Sequence, residues 1–110
     1  MTDRHIKFKS NFDKQNKYVG VTCRLGRGAA LKHKSNDTVW LECEDTGDMM
    51  PAVICMTWSG PARCIPWSLL SVEHDPGLRS VDSLCAALSG FYGEKVTSDD
   101  TISAIMYCMI

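Results

Sequence analysis

Apolar and polar residues alternate through the N-terminal part of the chain, the pattern of strands with one buried face. Residues 5–9 place Ile6 and Phe8 on one side and His5, Lys7 and Lys9 on the other. Residues 11–16 are polar and turn-like. Residues 18–25 predict the clearest strand, with Val19, Val21, Cys23 and Leu25 inward and Tyr18, Thr22 and Arg24 outward. Gly26-Arg27-Gly28 predicts a turn, residues 29–34 a strand or short helical turn, and Ser35-Asn36-Asp37 a further turn. Residues 38–44 alternate again, with Val39, Leu41 and Cys43 inward and Trp40, Glu42 and Glu44 outward. After a turn at 45–48, residues 52–58 are apolar on both faces, as in a central strand covered from two sides. Ser59-Gly60-Pro61 links it to residues 62–66, a hairpin partner ending at Pro66, which cannot donate a ladder hydrogen bond.

Past the break at Asp75-Pro76-Gly77 the apolar period lengthens. Val81, Leu84, Cys85 and Leu88 predict a helix over 80–89, stopped by Gly90 and Gly93. Ile102, Ile105, Met106 and Met109 predict a second helix over 98–109, with Thr97 and Asp100 as its capping box. Strands followed by helices predict an α+β fold. The expected sheet is mostly antiparallel, has about five strands and curls in a barrel-like way. Two C-terminal helices pack on one of its faces. The 110 residues suit one domain, 1–110, with a β-rich part at 1–75 and a helical part at 76–110.

Composition narrows the class. Hydrophobic residues make up 45% of the chain and only four are Pro, which excludes a disordered tail or low-complexity linker. The longest apolar stretch, residues 49–56, falls short of the roughly 20 residues of a membrane span. The N-terminus carries no apolar signal segment, so a cytoplasmic chain without membrane attachment is expected. Six cysteines then read as reduced and mostly buried, since Cys23, Cys43 and Cys85 fall on apolar faces. No Cys-x-x-Cys pair and no paired histidines suggest zinc, and no metal or cofactor is expected.

Charge is polarised although the net charge is only −1. Residues 1–36 carry nine basic residues against two acidic, a net +7, and residues 37–110 three against eleven, a net −8. Catalytic candidates are thin. His74-Asp75 sits in a turn signal, Cys64 beside Arg63 lacks a nearby base, and Glu42 with Glu44 has no cleft to serve. Gly26-x-Gly28 lacks the Lys-Ser/Thr of a phosphate loop. Each reads better as turn, core or solvated strand, and no enzyme is expected.

Two surface signals remain. Basic residues cluster at Arg24, Arg27, Lys32, His33 and Lys34, and with Tyr18 they suggest a sheet face that holds a nucleic-acid strand. Trp40, Trp58, Trp67, Met49, Met50 and Met56 suggest a protein-binding patch, with Trp58 and Trp67 also suited to packing under the helices. The expected function is a small non-enzymatic regulator or inhibitor. It would dock on a larger protein through Arg24, Arg27, Lys32, Lys34, Trp40, Glu42 and Glu44. Size and lack of motifs suit a phage or mobile-element accessory protein that blocks a host defence machine. Nucleic-acid binding through the basic strands is the alternative.

Overall fold

A computed structural model describes residues 5–8, 19–44, 46–73 and 75–109. The polar stretch at 11–16, Tyr18 and His74 lie outside them. Five strands, β1 (His5–Phe8), β2 (Val19–Leu25), β3 (Thr38–Cys43), β4 (Met49–Pro61) and β5 (Thr101–Met109), form one sheet in the order β1-β3-β4-β5-β2. Three helices accompany it: α1 (Gly28–Lys32), α2 (Trp67–Leu70) and α3 (Val81–Tyr92). The α+β class holds, but the sheet is mixed, because β1 runs parallel to β3. Parallel neighbours need a crossover connection, and the stretch holding β2 and α1 supplies it.

The largest correction is at the C-terminus. Residues 101–109 form a strand between β4 and β2, not a helix. Ile102, Ala104, Ile105 and Tyr107 are all buried, so the strand is covered on both faces. A strand buried on two sides carries an unbroken apolar run, and such a run also satisfies a helical template. The Thr97/Asp100 signal is realised as a turn instead. The Asp100 carboxylate accepts from the Thr97 amide at 2.8 Å, and the Asp100 amide donates to the Thr97 carbonyl. Residues 76–110 are therefore not a helical half. The strand expected over 62–66 is a 3₁₀ turn, Ala62–Cys64, leading into α2. Helix α3 keeps its predicted apolar stripe but runs on through Gly90 to Tyr92, so of the two expected stops only Gly93 ends it. Ser80 caps it by accepting from the Ser83 amide, Leu84, Cys85 and Leu88 are buried, and Gly93 ends it at φ 68°.

The sheet is bent but not closed. Its edge strands β1 and β2 lie four strand spacings apart in sheet order, about 19 Å if the sheet were flat. Yet Arg24 of β2 donates from Nη2 to the Lys7 carbonyl of β1 at 2.6 Å. The Phe8 ring of β1 meets Tyr107 of β5 edge-on, with centroids 6.1 Å apart. Only a strongly concave sheet brings these groups together. No ladder joins β1 to β2 among the described residues, so the barrel-like expectation is corrected to an open, curled sheet.

The bend creates two cores. Ile6, Phe8, Val39, Leu41, Ala52, Ile54, Ile105 and Tyr107 fill the concave side, and Ala29 of α1 packs against them. On the convex side Val21, Cys23, Ile102 and Ala104 pack with Leu69, Leu84 and Leu88 of α2 and α3. Strand β4 serves both. Ile54 pairs with Tyr107, but after the bulge Met56 pairs with Met106. The extra residue, Cys55, reverses the strand's phase. Ala52 and Ile54 thus enter the concave core, whereas Trp58 packs into the helix-covered one. Gly20 answers a close approach. A Cβ there would sit 2.9 Å from Cε1 of Tyr107 and nearer still to its hydroxyl.

The cysteine expectation is corrected in one pair. Cys55 and Cys108 form a disulfide between β4 and β5, with Cα atoms 6.4 Å apart. Cys23, Cys43 and Cys85 are free and buried, and Cys64 is free and exposed. The pair was invisible in the sequence because it depends on the β4–β5 register and the bulge. No helix among the described residues is long and apolar enough to cross a membrane.

Candidate functional site

The predicted site residues separate onto two surfaces. The first is the part of the convex sheet face that the helices leave uncovered. Helix α3 contacts β2, and the helix-covered core draws its residues from β2, β5 and the second half of β4. Beside it, β3 and the first half of β4 pair Trp40 with Pro51 and Glu42 with Met49. Trp40 is 44% exposed, Met49 43% and Met56 41%. Pro51 is also exposed, and Val53, Cys55, Met106 and Cys108 are half-buried alongside. The register makes these neighbours: Val53 pairs with Cys108 and Met56 with Met106.

Charge frames this strip at the β1 edge. His5 stands opposite Trp40 and Lys7 opposite Glu42. Glu42 lies 3.9 Å from Nδ1 of His5 and 3.9 Å from Nζ of Lys7. Ion pairs this open contribute at most about 1 kcal/mol. Their effect is to orient side chains around the tryptophan more than to hold the fold.

The second surface is the seam between β1 and β2. A cleft of about 300 Å³ opens there, with His5, Lys7, Arg24, Lys32, His33 and Tyr92 among its lining residues. Arg24 is held from several sides. Its Nη1 donates to the Thr22 hydroxyl and, at 2.9 Å, to the Cys23 carbonyl, and Nη2 reaches the Lys7 carbonyl. The guanidinium also sits 5.7 Å from the Phe8 ring centroid. Helix α1 forms the floor. Ser103 of β5 ties it down by donating to the Gly26 carbonyl at 2.6 Å and accepting from the Ala30 amide at 3.2 Å.

Of the seven predicted residues, Trp40 and Glu42 share the convex strip, and Arg24 and Lys32 share the seam cleft. Arg27 is exposed just before α1 and lines a separate groove of about 420 Å³ with Leu31 and Pro61. Lys34 is exposed beyond α1, where its amide donates to the Asp37 carboxylate. Glu44 is exposed in the turn after β3. Among the described residues, the basic side chains of β1 and β2 do not share one sheet face; Lys9 and Tyr18, also expected on it, lie outside those residues. Lys7 stands on the convex side, opposite Glu42, whereas Arg24 pairs with Ser103 and turns to the concave side with buried Thr22. Trp67, expected under the helices, is 66% exposed.

Asp75 caps a short 3₁₀ turn by accepting from the Gly77 amide. Cys64 is exposed beside Arg63. Gly26, at φ 80°, makes the turn into a helix of five residues. The sequence missed one buried polar pair. Glu73 is buried against β2, and the Cys23 thiol hydrogen-bonds to its side chain. Burial first, then the Glu73 charge and this hydrogen bond, push the Cys23 thiol well above its usual value of 9.0. Among the described residues no three His, Cys, Asp or Glu side chains converge on a point that would hold a metal ion. No family model, curated protein or solved structure matches the chain.

Proposed function

We propose that this chain is a small, non-enzymatic protein-binding module that docks through the uncovered convex strip of its sheet, with Trp40 as the anchor. One observation carries the reading: Trp40, Met49 and Met56 stand exposed on one face of the sheet, with His5, Lys7 and Glu42 grouped at its β1 border. Aromatic residues and Met are enriched in interface centres, and polar residues at rims. A tryptophan on a strand needs little ordering to bind, so its burial converts efficiently into affinity. Regulation or inhibition of a larger protein is the role such a surface suits. The nucleic-acid alternative is weaker, because Arg24 spends its donors inside the molecule and Lys7 faces Glu42.

The test places a photo-crosslinking residue at position 40, at position 56, and at exposed Leu31 as a control. Nuclease-treated extract of the native host is the bait. A discrete protein adduct at 40 and 56, absent at 31 and suppressed by excess unlabelled protein but not by Trp40→Asp protein, supports the reading. Equal labelling at all three positions, or an adduct that Trp40→Asp protein suppresses equally, overturns it. Tight binding of a random oligonucleotide at physiological salt would promote the alternative.

A further inference from the structure

We infer that the outer edge of β4, beyond Ile54, is a docking site for one extended segment of a partner polypeptide. The segment adds to the sheet as a further strand, with an apolar side chain in the groove beside α1 and an acidic residue at Arg27. The inference does not rest on the convex strip. Strand β4 is the longest of the five, and β3 pairs with it only from Met49 to Val53. The Ile54 amide then donates to the Asp37 carbonyl, and the Ile54 carbonyl accepts from the Asn36 amide. Past Ile54, among the described residues, β4 pairs with β5 alone. The phase of that ladder decides which groups are left over. The Ala62 amide donates to the Asp100 carbonyl at 3.0 Å, so that pair is a hydrogen-bonded one. Hydrogen-bonded and non-hydrogen-bonded pairs alternate along an antiparallel ladder. Trp58 and Gly60 therefore bond to Ala104 and Ile102, and the backbone groups of Thr57 and Ser59 point away from β5. The Thr101 carbonyl, which accepts from the Gly26 amide, gives the same phase. Two donors and two acceptors in line are a template for an added strand.

The groove beside this edge sets the chemistry of the segment. Arg27, Ala30 and Leu31 line one side of it and Ser59 and Pro61 the other, around about 420 Å³. Residues directly opposite on paired strands share a face, so the residue paired with Ser59 sends its side chain into the groove. Leu31 is 70% exposed, and with Ala30 and Pro61 it suits an apolar side chain there. Arg27 is exposed and makes no hydrogen bond or ion pair among the described residues, so its guanidinium is available to a carboxylate. Helix α1 flanks the edge, and the turn holding Asn36 and Asp37 closes its Ile54 end. That slot suits a lone segment over the edge of a second copy carrying its own α1. A segment held here would crosslink at position 31 and not at position 40, as an adduct separate from that of the strip's partner.

The probe is a library of random octapeptides displayed on phage and selected on the immobilised full chain. Selection should enrich peptides with alternating apolar residues and an acid. The most enriched peptide, titrated into ¹⁵N-labelled protein, should give saturable shifts in β4 and α1 in the millimolar range or tighter, and should slow exchange of the Thr57 and Ser59 amides. Ser59→Pro removes an N–H that faces away from β5, a position where a strand tolerates proline. It should weaken binding at least about tenfold. Methylating every backbone nitrogen of the peptide should abolish binding, a test that does not depend on any variant folding. Arg27→Glu should weaken binding about tenfold, and exchanging the peptide's acid for lysine should restore it. Lys95→Glu, at an exposed site outside the groove lining, and Trp40→Asp should leave binding unchanged. The proposal is overturned if no peptide is enriched, or if the methylated peptide binds as well as its parent. It is overturned if Trp40→Asp abolishes the shifts, which would put the peptide on the convex strip. A dimer seen by sedimentation and lost in Ser59→Pro protein would also overturn it, by placing a second copy on the edge.

Discussion

The Arg24 side chain donates to the backbone carbonyl of Lys7 at 2.6 Å, so one residue of β2 spans the gap to β1 at the opposite edge of the sheet. The contact stands in for the ladder that would close the sheet. It also lays the Arg24 cation beside the Phe8 ring and leaves the cleft open next to it. Edge strands are templates for unwanted pairing, and here a charged side chain occupies part of both edges.

Arg24→Ala should therefore destabilise the fold by about 1–3 kcal/mol, the range for losing charge-assisted hydrogen bonds. The loss should be local as well as global. Amide exchange at Ile6 and Phe8 should accelerate more than exchange in β4 and β5. Uniform acceleration across all five strands would show that Arg24 does not act as an edge clasp.

Ser103→Ala tests how α1 is held. The substitution leaves the Gly26 carbonyl and the Ala30 amide without their partner at a buried site, a loss of about 1–3 kcal/mol. Chemical denaturation measures it. A midpoint unchanged from the parent protein would mean that water replaces the hydroxyl freely.

Strand β5 is the spine of the sheet, paired on both sides and buried on both faces. Ile105→Ala should cost about 2–5 kcal/mol. Because residues 101–109 are a strand, a peptide of those residues should show no helix by circular dichroism in water. Helical signal from it would favour the periodicity over the register.

The disulfide is checked by mass and by heat. Under non-reducing conditions the intact protein should be lighter by two hydrogens, with Cys55 and Cys108 linked in the peptide map. Cross-linking residues 53 apart limits the unfolded chain by up to about 4 kcal/mol, so reduction should lower the melting temperature. Cys64 should react rapidly with a thiol reagent in the folded protein, and Cys23, Cys43 and Cys85 slowly. A map with Cys55 and Cys108 both free would refute the pairing.

Cys23 gives the chain an alkaline limit. Its folded thiol is pushed up from 9.0 by burial and by Glu73, so the folded state holds the proton more tightly than the unfolded state. The Cys85 thiol is raised in the same direction, by burial and then by Asp82 and Asp100. Stability from both groups is complete below about pH 9 and falls as the pH rises above it, where only the unfolded chain loses the protons. Cys23→Ala should flatten that decline when denaturation midpoints are compared at neutral and alkaline pH. A decline of the same steepness in the variant would place its cause elsewhere.

The alternation in β1, β2 and β3, the stripe of α3 and its stop at Gly93, and the turns at Gly26 and Asn36 were legible because each is set by neighbours in the chain. Side chains two or four residues apart share a face, and Gly26, Asn36 and Gly93 adopt the positive φ that those turns and that helix end require. Trp40 and Glu42 were placed on the outer face for the same reason. What only the tertiary structure decided lies between distant residues. Whether 101–109 coils or extends depended on β4 and β2 being there to bury both its faces. The Cys55–Cys108 link and the phase reversal in β4 follow from one bulge that no local pattern marks. The curl of the sheet, which sends Lys7 to the convex side and Arg24 to the concave one yet joins them at the seam, arises from packing two cores on opposite faces. A one-dimensional pattern records which residues avoid water, but not which partners they find.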